Sequence, residues 1–205
     1  LQAPLLRGIA GYARTKRWVL QVNPELPTLG VSHLVGWPGD GVITLLRTKA
    51  EVSAAKTLQI PIVNLSGAIR STGLPRVMAD QAAMGRLAAE HLLERGFQRF
   101  GYYGLRDMWY SQQRKVGFMT RLAEAGHQCS VLESTIRFSA RNPWYRWIEV
   151  LEPWLRKLTP PVGVLAVHDY RGAVVIDTCL SLGLRVPTDV AVIGAPCPDM
   201  GERVI

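Results

Sequence analysis

The sequence predicts an α/β protein in which parallel sheets are flanked by helices, and three features of the chain indicate this class. Short apolar runs alternate with longer amphipathic stretches, as in successive βαβ units. Several of these runs are apolar at every position, which is typical of strands buried on both faces of a sheet. Gly96, Gly126 and Gly183 each follow an amphipathic stretch, where a glycine is suited to end a helix.

The individual elements follow from these patterns in chain order. Seven strands are expected from the apolar runs, at residues 18–22, 42–46, 60–65, 100–103, 131–132, 162–167 and 189–194. Six helices are expected from the amphipathic stretches, at residues 5–12, 48–58, 80–95, 112–125, 144–158 and 171–182. The helix at 80–95 is the clearest, because its apolar residues recur with the helical period and Asp80 is suited to cap its first turn.

The order of these elements indicates two successive α/β halves. A chain of 205 residues can form one large domain or two small lobes. We expect an N-terminal lobe at residues 1–96, a C-terminal lobe at residues 97–194, and a crossover or tail fragment at residues 195–205. That last stretch contains Pro196 and Pro198 and shows no periodicity.

The chain is basic, with 24 Lys and Arg residues against 16 Asp and Glu residues and a formal net charge of +8. Such a charge favours nucleic-acid binding when the basic residues cluster on one face. Here they are scattered over many segments, and no stretch resembles a basic tail. A solvated basic surface is therefore the favoured interpretation, ahead of direct nucleic-acid binding by this segment.

Cysteine usage and hydropathy bear on the compartment. Cys129, Cys179 and Cys197 are odd in number and form no CxxC pair, which favours a reducing compartment over a disulfide framework. No run of about 18 apolar residues is present that would span a membrane. We expect a cytoplasmic protein.

The common motifs of enzyme active sites are missing from the sequence. It contains no GxGxxG fingerprint, no GxxxxGK[ST] phosphate loop and no GxSxG nucleophile elbow. The four histidines lie far apart along the chain. No catalytic residue, metal site or cofactor is expected, although an enzyme remains a third interpretation because triads can assemble from distant residues.

Polar and aromatic residues concentrate where ligands bind in parallel α/β sheets, beyond the carboxyl ends of the strands. Trp109 and Arg114 follow one predicted strand, and His168 and Asp169 follow another. A carboxylate accepts hydrogen bonds from vicinal hydroxyls, an arginine donates two in a fixed fork, and an indole stacks on the apolar face of a pyranose. With Asp80, these residues predict a sugar site. The alternatives are a helix cap for Asp80, lobe packing for Trp109 and a surface ion pair for Arg114.

Several strings of the sequence resemble one family of bacterial regulators. They are LLRGIAGYAR at 5–14, the D…G…A…L…G pattern between Asp80 and Phe100, WYSQQRKVGF at 109–118, VHDYRG at 167–172 and GLRVPTDVAVIG at 183–194. The last string is the most specific. Together they resemble regulators of xylose operons, in which a lactose-repressor-like sensor is joined to an AraC-type DNA-binding domain.

This resemblance implies a two-lobed effector domain of the periplasmic-binding-protein-like type I fold, without its first strand and with the DNA-binding domain outside these residues. Asp80 would face the sugar from the first lobe, and Arg114 and Asp169 from the second, with Trp109 as the stacking ring. Family members usually carry Asn or Asp at the position of His168. A xylose-like pentose, switching of DNA binding by lobe closure and a homodimer are the implied ligand, mechanism and assembly. A periplasmic sugar-binding protein of a transporter is the alternative.

Overall fold

The computed structural model describes residues 3–22, 30–135 and 145–196, which belong to two compact units. Among these residues, the first unit ends at Met78 and the second comprises Ala79–Pro196. The division therefore lies before the helix at 80–95 and not at Gly96, where the sequence places it. The reason is the packing of that helix, which lies against the next helix of the second unit.

The first unit holds a small parallel sheet with few helical residues around it. Its elements are α1 (Ala3–Thr15), a 3₁₀ turn (Val31–Leu34), β1 (Val42–Thr44), α2 (Lys49–Thr57) and β2 (Ile62–Asn64). The two strands pair in parallel, with Val42 opposite Ile62. Leu46 and Ile62 lie in a compact cluster with residues of α2, which gives this unit its core.

The strand expected at residues 18–22 does not form in the first unit. These residues are described without strand pairing, and the Val19 side chain is 91% exposed. A strand is stabilised by hydrogen bonds to a neighbour and by burial of one face, and this segment has neither among the described residues. That prediction is wrong for this structure.

The second unit contains a four-stranded parallel sheet and four helices. Its elements are α3 (Gln81–Glu94), β3 (Phe100–Leu105), α4 (Trp109–Glu124), β4 (Cys129–Ser134), α5 (Tyr145–Leu155), β5 (Val162–Ala166), α6 (Asp169–Ser181) and β6 (Val190–Gly194). The strand order is β4-β3-β5-β6, and every neighbouring pair is parallel. The predicted class, parallel sheets flanked by helices, is confirmed.

The centre of this sheet explains the continuous apolar runs of the sequence. Every residue of β3 and of β5 is buried, whereas the outer strands β4 and β6 are only partly buried. A central parallel strand is covered by helices on both faces and cannot alternate between apolar and polar residues. The runs at 100–103 and 162–167 therefore identify the two central strands.

Two glycines allow α3 and α4 to pack with their backbones nearly in contact. A Cβ added at Gly85 would lie 2.1 Å from the carbonyl oxygen of Arg114, and one at Gly117 would lie 1.9 Å from that of Ala82. No side chain fits at such separations. The close approach positions α3, and with it the first turn that follows Asp80, beside the buried face of α4.

Candidate functional site

Four of the five candidate residues lie just beyond the carboxyl ends of β3 and β5, where α4 and α6 begin, and Asp80 precedes α3. β3 leads into α4 at Trp109, β5 leads through His168 into α6 at Asp169, and β6 leads into Ala195. Both helices start earlier than expected, α4 at Trp109 and α6 at Asp169. All of the five candidate residues belong to the second unit, so their arrangement is described within that unit.

Arg114 is a buried connector of this region, with 1% of its surface exposed. Its Nε donates to Gln81 Oε1 at 2.6 Å, its Nη1 to the carbonyl oxygen of Val167, and its Nη2 to that of Pro196 at 3.5 Å. These acceptors lie at the start of α3 and just beyond β5 and β6. The guanidinium therefore ties three elements together at the carboxyl edge of the sheet.

Asp169 is exposed at the first turn of α6, and its backbone is held firmly. Its amide donates to the carbonyl oxygen of Ala195 at 3.0 Å, and its Oδ1 accepts from the amide of Tyr170 at 2.8 Å. A Cβ at Gly194 would lie 2.6 Å from the Asp169 Cα, so only glycine at the end of β6 allows this approach. The carboxylate thus projects from a fixed backbone.

Asp80 caps α3, as the helix pattern predicts. Its side chain accepts a hydrogen bond from the amide of Ala83 at 2.9 Å, and the residue is exposed. The structure places Asp80 in the second unit, whereas the resemblance assigns it to the first lobe. Gln81, the next residue, accepts from Arg114 and donates to the carbonyl oxygen of Ala79 at 3.0 Å, which links the cap to the buried connector.

The rings of Trp109 and Tyr110 open α4. Trp109 is partly buried, and Tyr110 is buried with the Arg114 guanidinium 5.4 Å from its ring centroid. A partly exposed indole beside fixed polar groups can stack on the apolar face of a sugar ring.

His168 lies buried between β5 and α6, with 2% of its surface exposed. Its Nδ1 is 2.9 Å from the hydroxyl of Tyr170, and the two rings stack at 4.9 Å between centroids. Burial, followed by the positive charges of Arg114 and Arg171, lowers the pKa of His168 to about 3. The imidazole is therefore uncharged at neutral pH.

Sequence reasoning did not single out three residues that build this region. Gln81 receives the Arg114 guanidinium, and Tyr103 and Trp147 surround Arg171. Tyr103 lies in an apolar run and Trp147 in an amphipathic stretch, so both carry the signal of core residues. Gln81 follows a helix cap and carries no distinctive signal at all.

No group of three or more His, Cys, Asp or Glu residues that could hold a metal ion occurs at residues 3–22, 30–135 or 145–196. In the same residues, no helix combines the length and the apolar character needed to cross a membrane. Cys129 and Cys179 are free thiols, and burial raises the pKa of both.

Comparisons with known proteins identify relatives along most of the chain. The chain is 29% identical over 199 residues to the xylose operon regulatory protein of Escherichia coli K12, covering 93% of this chain and 50% of that protein. The solved structure of a xylose-binding transcription activator superposes with a TM-score of 0.76 at 25% identity, covering 92% of this chain and 49% of the other. A LacI family regulator from Mycobacterium smegmatis shares the fold, with a TM-score of 0.69 at 22% identity and coverage of 94% and 72%.

Two family models match, each over more than half of the chain. The model of the periplasmic binding protein-like domain matches residues 89–201, and that of periplasmic binding proteins and the sugar binding domain of the LacI family matches residues 31–139. The chain spans about half the length of the curated relatives it matches. The parallel sheet, the polar groups at its carboxyl edge and these two matches agree, and the chain belongs to the family of periplasmic binding protein-like domains.

Proposed function

We propose that this chain is the sugar-sensing effector domain of a bacterial transcriptional regulator and that its ligand is a xylose-like pentose. The observation that carries the proposal is a solvent-facing carboxylate, Asp169, on a rigid helix start at the carboxyl edge of the sheet. The similarity to xylose operon regulatory proteins supports the regulator over a transporter's binding protein, and it gives no support to an enzyme.

The side chains at the carboxyl edge of the sheet carry groups that suit a sugar ligand. The carboxylate of Asp169 accepts hydrogen bonds from two neighbouring hydroxyls, and the partly buried Trp109 ring offers a face for the C–H bonds of a pyranose. Asp80 supplies a second exposed carboxylate at the start of α3. Arg114 and His168, both buried, complete the proposed site from beneath by fixing the elements that carry the exposed groups.

Within the whole regulator, the proposed role of the sugar is to shift an equilibrium. A ligand changes a conformational population only to the extent that it binds one state better than the other. A coupling free energy of about 1–3 kcal/mol, usual for allosteric proteins, gives a roughly 5- to 150-fold change in DNA affinity. We propose that the regulator acts in the cytoplasm as a homodimer and contacts DNA through a domain outside this chain.

Calorimetry against a panel of pentoses and hexoses tests the proposed ligand class. We expect saturable heat with a pentose, because the exposed carboxylates match vicinal hydroxyls, and weaker binding or none with sugars whose hydroxyl arrangement differs. If no sugar binds at millimolar concentration, the proposal is wrong.

Replacement of Asp169 tests the site. Asp169→Ala is expected to weaken pentose binding at least tenfold, about 1.4 kcal/mol, because charge-assisted hydrogen bonds contribute about this much or more. Asp177→Ala is the matched control, since Asp177 is also an exposed aspartate of α6. Both variants should unfold at nearly the wild-type temperature. Affinity within a factor of two of wild type for Asp169→Ala would place the site elsewhere.

A further inference from the structure

Four aromatic rings form a continuous row beneath the carboxyl edge of the sheet in the second unit, in which His168 and Tyr170 are stacked and the other two neighbouring pairs are tilted. Tyr110 and His168 lie 5.4 Å apart between ring centroids, His168 and Tyr170 4.9 Å, and Tyr170 and Trp147 5.9 Å. The rings come from α4, from the residue before α6, from α6 and from α5. We refer to Tyr110, His168, Tyr170 and Trp147 as the ring stack.

Arg171 lies at one end of the ring stack and is 1% exposed. Its guanidinium carbon is 4.5 Å from the Trp147 ring centroid, 5.1 Å from that of Tyr103 and 6.0 Å from that of Tyr170. Its Nη1 donates to the Tyr103 hydroxyl at 2.7 Å. A planar guanidinium held on aromatic faces in this way restricts the orientation of every ring it touches.

Arg114 lies at the other end, with its guanidinium 5.4 Å from the Tyr110 centroid. The titratable and charged groups around His168 are therefore Tyr110 and Arg114 from α4 and Tyr170 and Arg171 from α6, with Tyr103 of β3 behind Arg171. The neighbouring carboxylate of Asp169 is exposed to water. Two buried cations thus flank the one ring of the stack that could itself become a cation.

The hydrogen bonds of His168 agree with an uncharged ring. A protonated imidazole carries two N–H donors, and the Nε2 of His168 is buried without a hydrogen-bond partner in the described part of the chain. An unmet buried donor on a charged ring is costly, and two nearby guanidinium groups increase that cost.

We infer that Arg171 is a positioning residue of the proposed effector site: its plane orients the Tyr170 ring and, through that ring, the stacked His168 ring. Burial is the main reason that His168 is neutral, and the charges of Arg114 and Arg171 add to it. The link to sugar binding rests on the proposed function, whereas the effect on His168 does not. A neutral ring leaves the region beneath Asp169 unchanged when the pH falls, so that ligand binding is independent of pH between about 5 and 8.

Histidine titration by NMR of the full chain, without sugar, tests the electrostatic part. In wild type the His168 signal, assigned with His168→Gln, is expected to stay constant from pH 5 to 8. In Arg171→Met the pKa of His168 is expected to rise from about 3 to about 4 or above, because a nearby buried positive charge is lost, so the titration of both proteins is continued from pH 5 down to pH 4. Arg185→Met, which removes an exposed arginine paired with Asp189, is the control and should leave His168 unchanged.

Two further variants separate charge from shape. Arg171→Lys retains the charge but not the plane, so His168 should stay neutral while pentose affinity falls about tenfold. Tyr103→Phe removes only the hydroxyl that holds Arg171, and a smaller rise in the pKa of His168 is expected. This milder variant decides the question if Arg171→Met does not fold.

The pH profile of pentose binding completes the test. Wild-type affinity should be flat between pH 5 and 8, and that of Arg171→Met should fall more steeply than that of wild type below pH 5. If His168 titrates in Arg171→Met and Tyr103→Phe as it does in wild type, or if Arg185→Met shifts it equally, the inference is overturned. If no sugar binds but the NMR shifts occur as expected, the proposed function fails and the role of Arg171 stands.

Discussion

Helical glycines are required for packing in the second unit, whereas those of α1 in the first unit have space for a side chain. In the second unit, Gly85 and Gly117 lie where α3 and α4 bring their backbones nearly into contact. In the first unit, a Cβ at Gly8 or Gly11 of α1 would meet nothing within 4 Å among the described residues. The comparison shows that a helical glycine is required only where another backbone occupies the space of its side chain.

The largest effect is expected from Gly117→Ala. The added methyl would overlap the carbonyl oxygen of Ala82, and because this neighbour is backbone, α3 must move away from α4. We expect a loss of about 3 kcal/mol or more in the free energy of unfolding, at the upper end of overpacking substitutions. Urea unfolding followed by circular dichroism measures it.

Gly8→Ala is the matched substitution in the first unit. Alanine has the higher helix propensity and meets no atom there, so α1 should gain about 0.5–1 kcal/mol. Equal effects at positions 8 and 117 would remove the distinction between the two units.

Each unit also contains a buried polar residue that holds its strand ends, and these residues differ in size. In the first unit, Asn64 Oδ1 accepts from the amides of Leu46 at 3.0 Å and Ser66 at 2.9 Å. In the second unit, Arg114 donates to acceptors on three elements. The larger residue joins parts of the chain that are far apart in sequence, whereas Asn64 joins neighbouring loops.

We expect Arg114→Met to lower the free energy of unfolding by about 3 kcal/mol, because the buried acceptors at Gln81 and Val167 lose their donor. Asn64→Ala should cost about 2 kcal/mol for the same reason on a smaller scale. Arg114→Lys is not expected to restore stability, since an ammonium lacks the planar fork. If Arg114→Met unfolds like wild type but loses sugar binding, Arg114 is a ligand contact and not a connector.

Local pattern was enough to predict most of the second unit. The apolar runs identify β3 and β5, and Gly96, Gly126 and Gly183 have the positive φ angles that end helices. The unit boundary could not be read in this way, because it depends on the fit of Gly85 and Gly117 against residues of another helix. The prediction of a strand at 18–22 failed for a related reason. A strand forms only beside a neighbouring strand, and composition does not reveal whether that neighbour is present.

The sequence predicted where the candidate residues lie along the chain and in the sheet, but not how deeply each of them is buried. Parallel strands end at one edge of a sheet, so Trp109, Arg114, His168 and Asp169 could be expected together. The burial of Arg114 and His168 could not, because it depends on Gln81, Tyr103 and Trp147, which carry ordinary core or loop signals. Only the exposed residues kept the surroundings that their type suggests.

The dependence of stability on pH tests the buried histidine of the second unit, His168. The pKa of His168 is about 3 in the folded chain, below the usual 6.5, so the unfolded chain binds the extra proton between these values. Stability contributed by neutral His168 is complete above pH 6.5 and decreases as the pH falls towards 3. At pH 5 the loss is about 2 kcal/mol.

Urea unfolding at pH 7 and pH 5 measures this loss. His168→Asn should reduce the difference in stability between the two pH values by most of that amount. An unchanged difference in His168→Asn would mean that other groups cause the acid sensitivity.

The smallest losses of stability are expected at the helix caps, which both units use. Thr48 caps α2 in the first unit through a capping box with Glu51, and Asp80 caps α3 in the second. Thr48→Ala and Asp80→Ala should each cost about 1 kcal/mol. Asp80→Asn should keep the stability, since asparagine caps as well as aspartate, yet it removes the charge that a sugar hydroxyl would meet. If Asp80→Asn binds pentose more weakly at unchanged stability, Asp80 contacts the ligand. If binding is unchanged, Asp80 serves only as a helix cap.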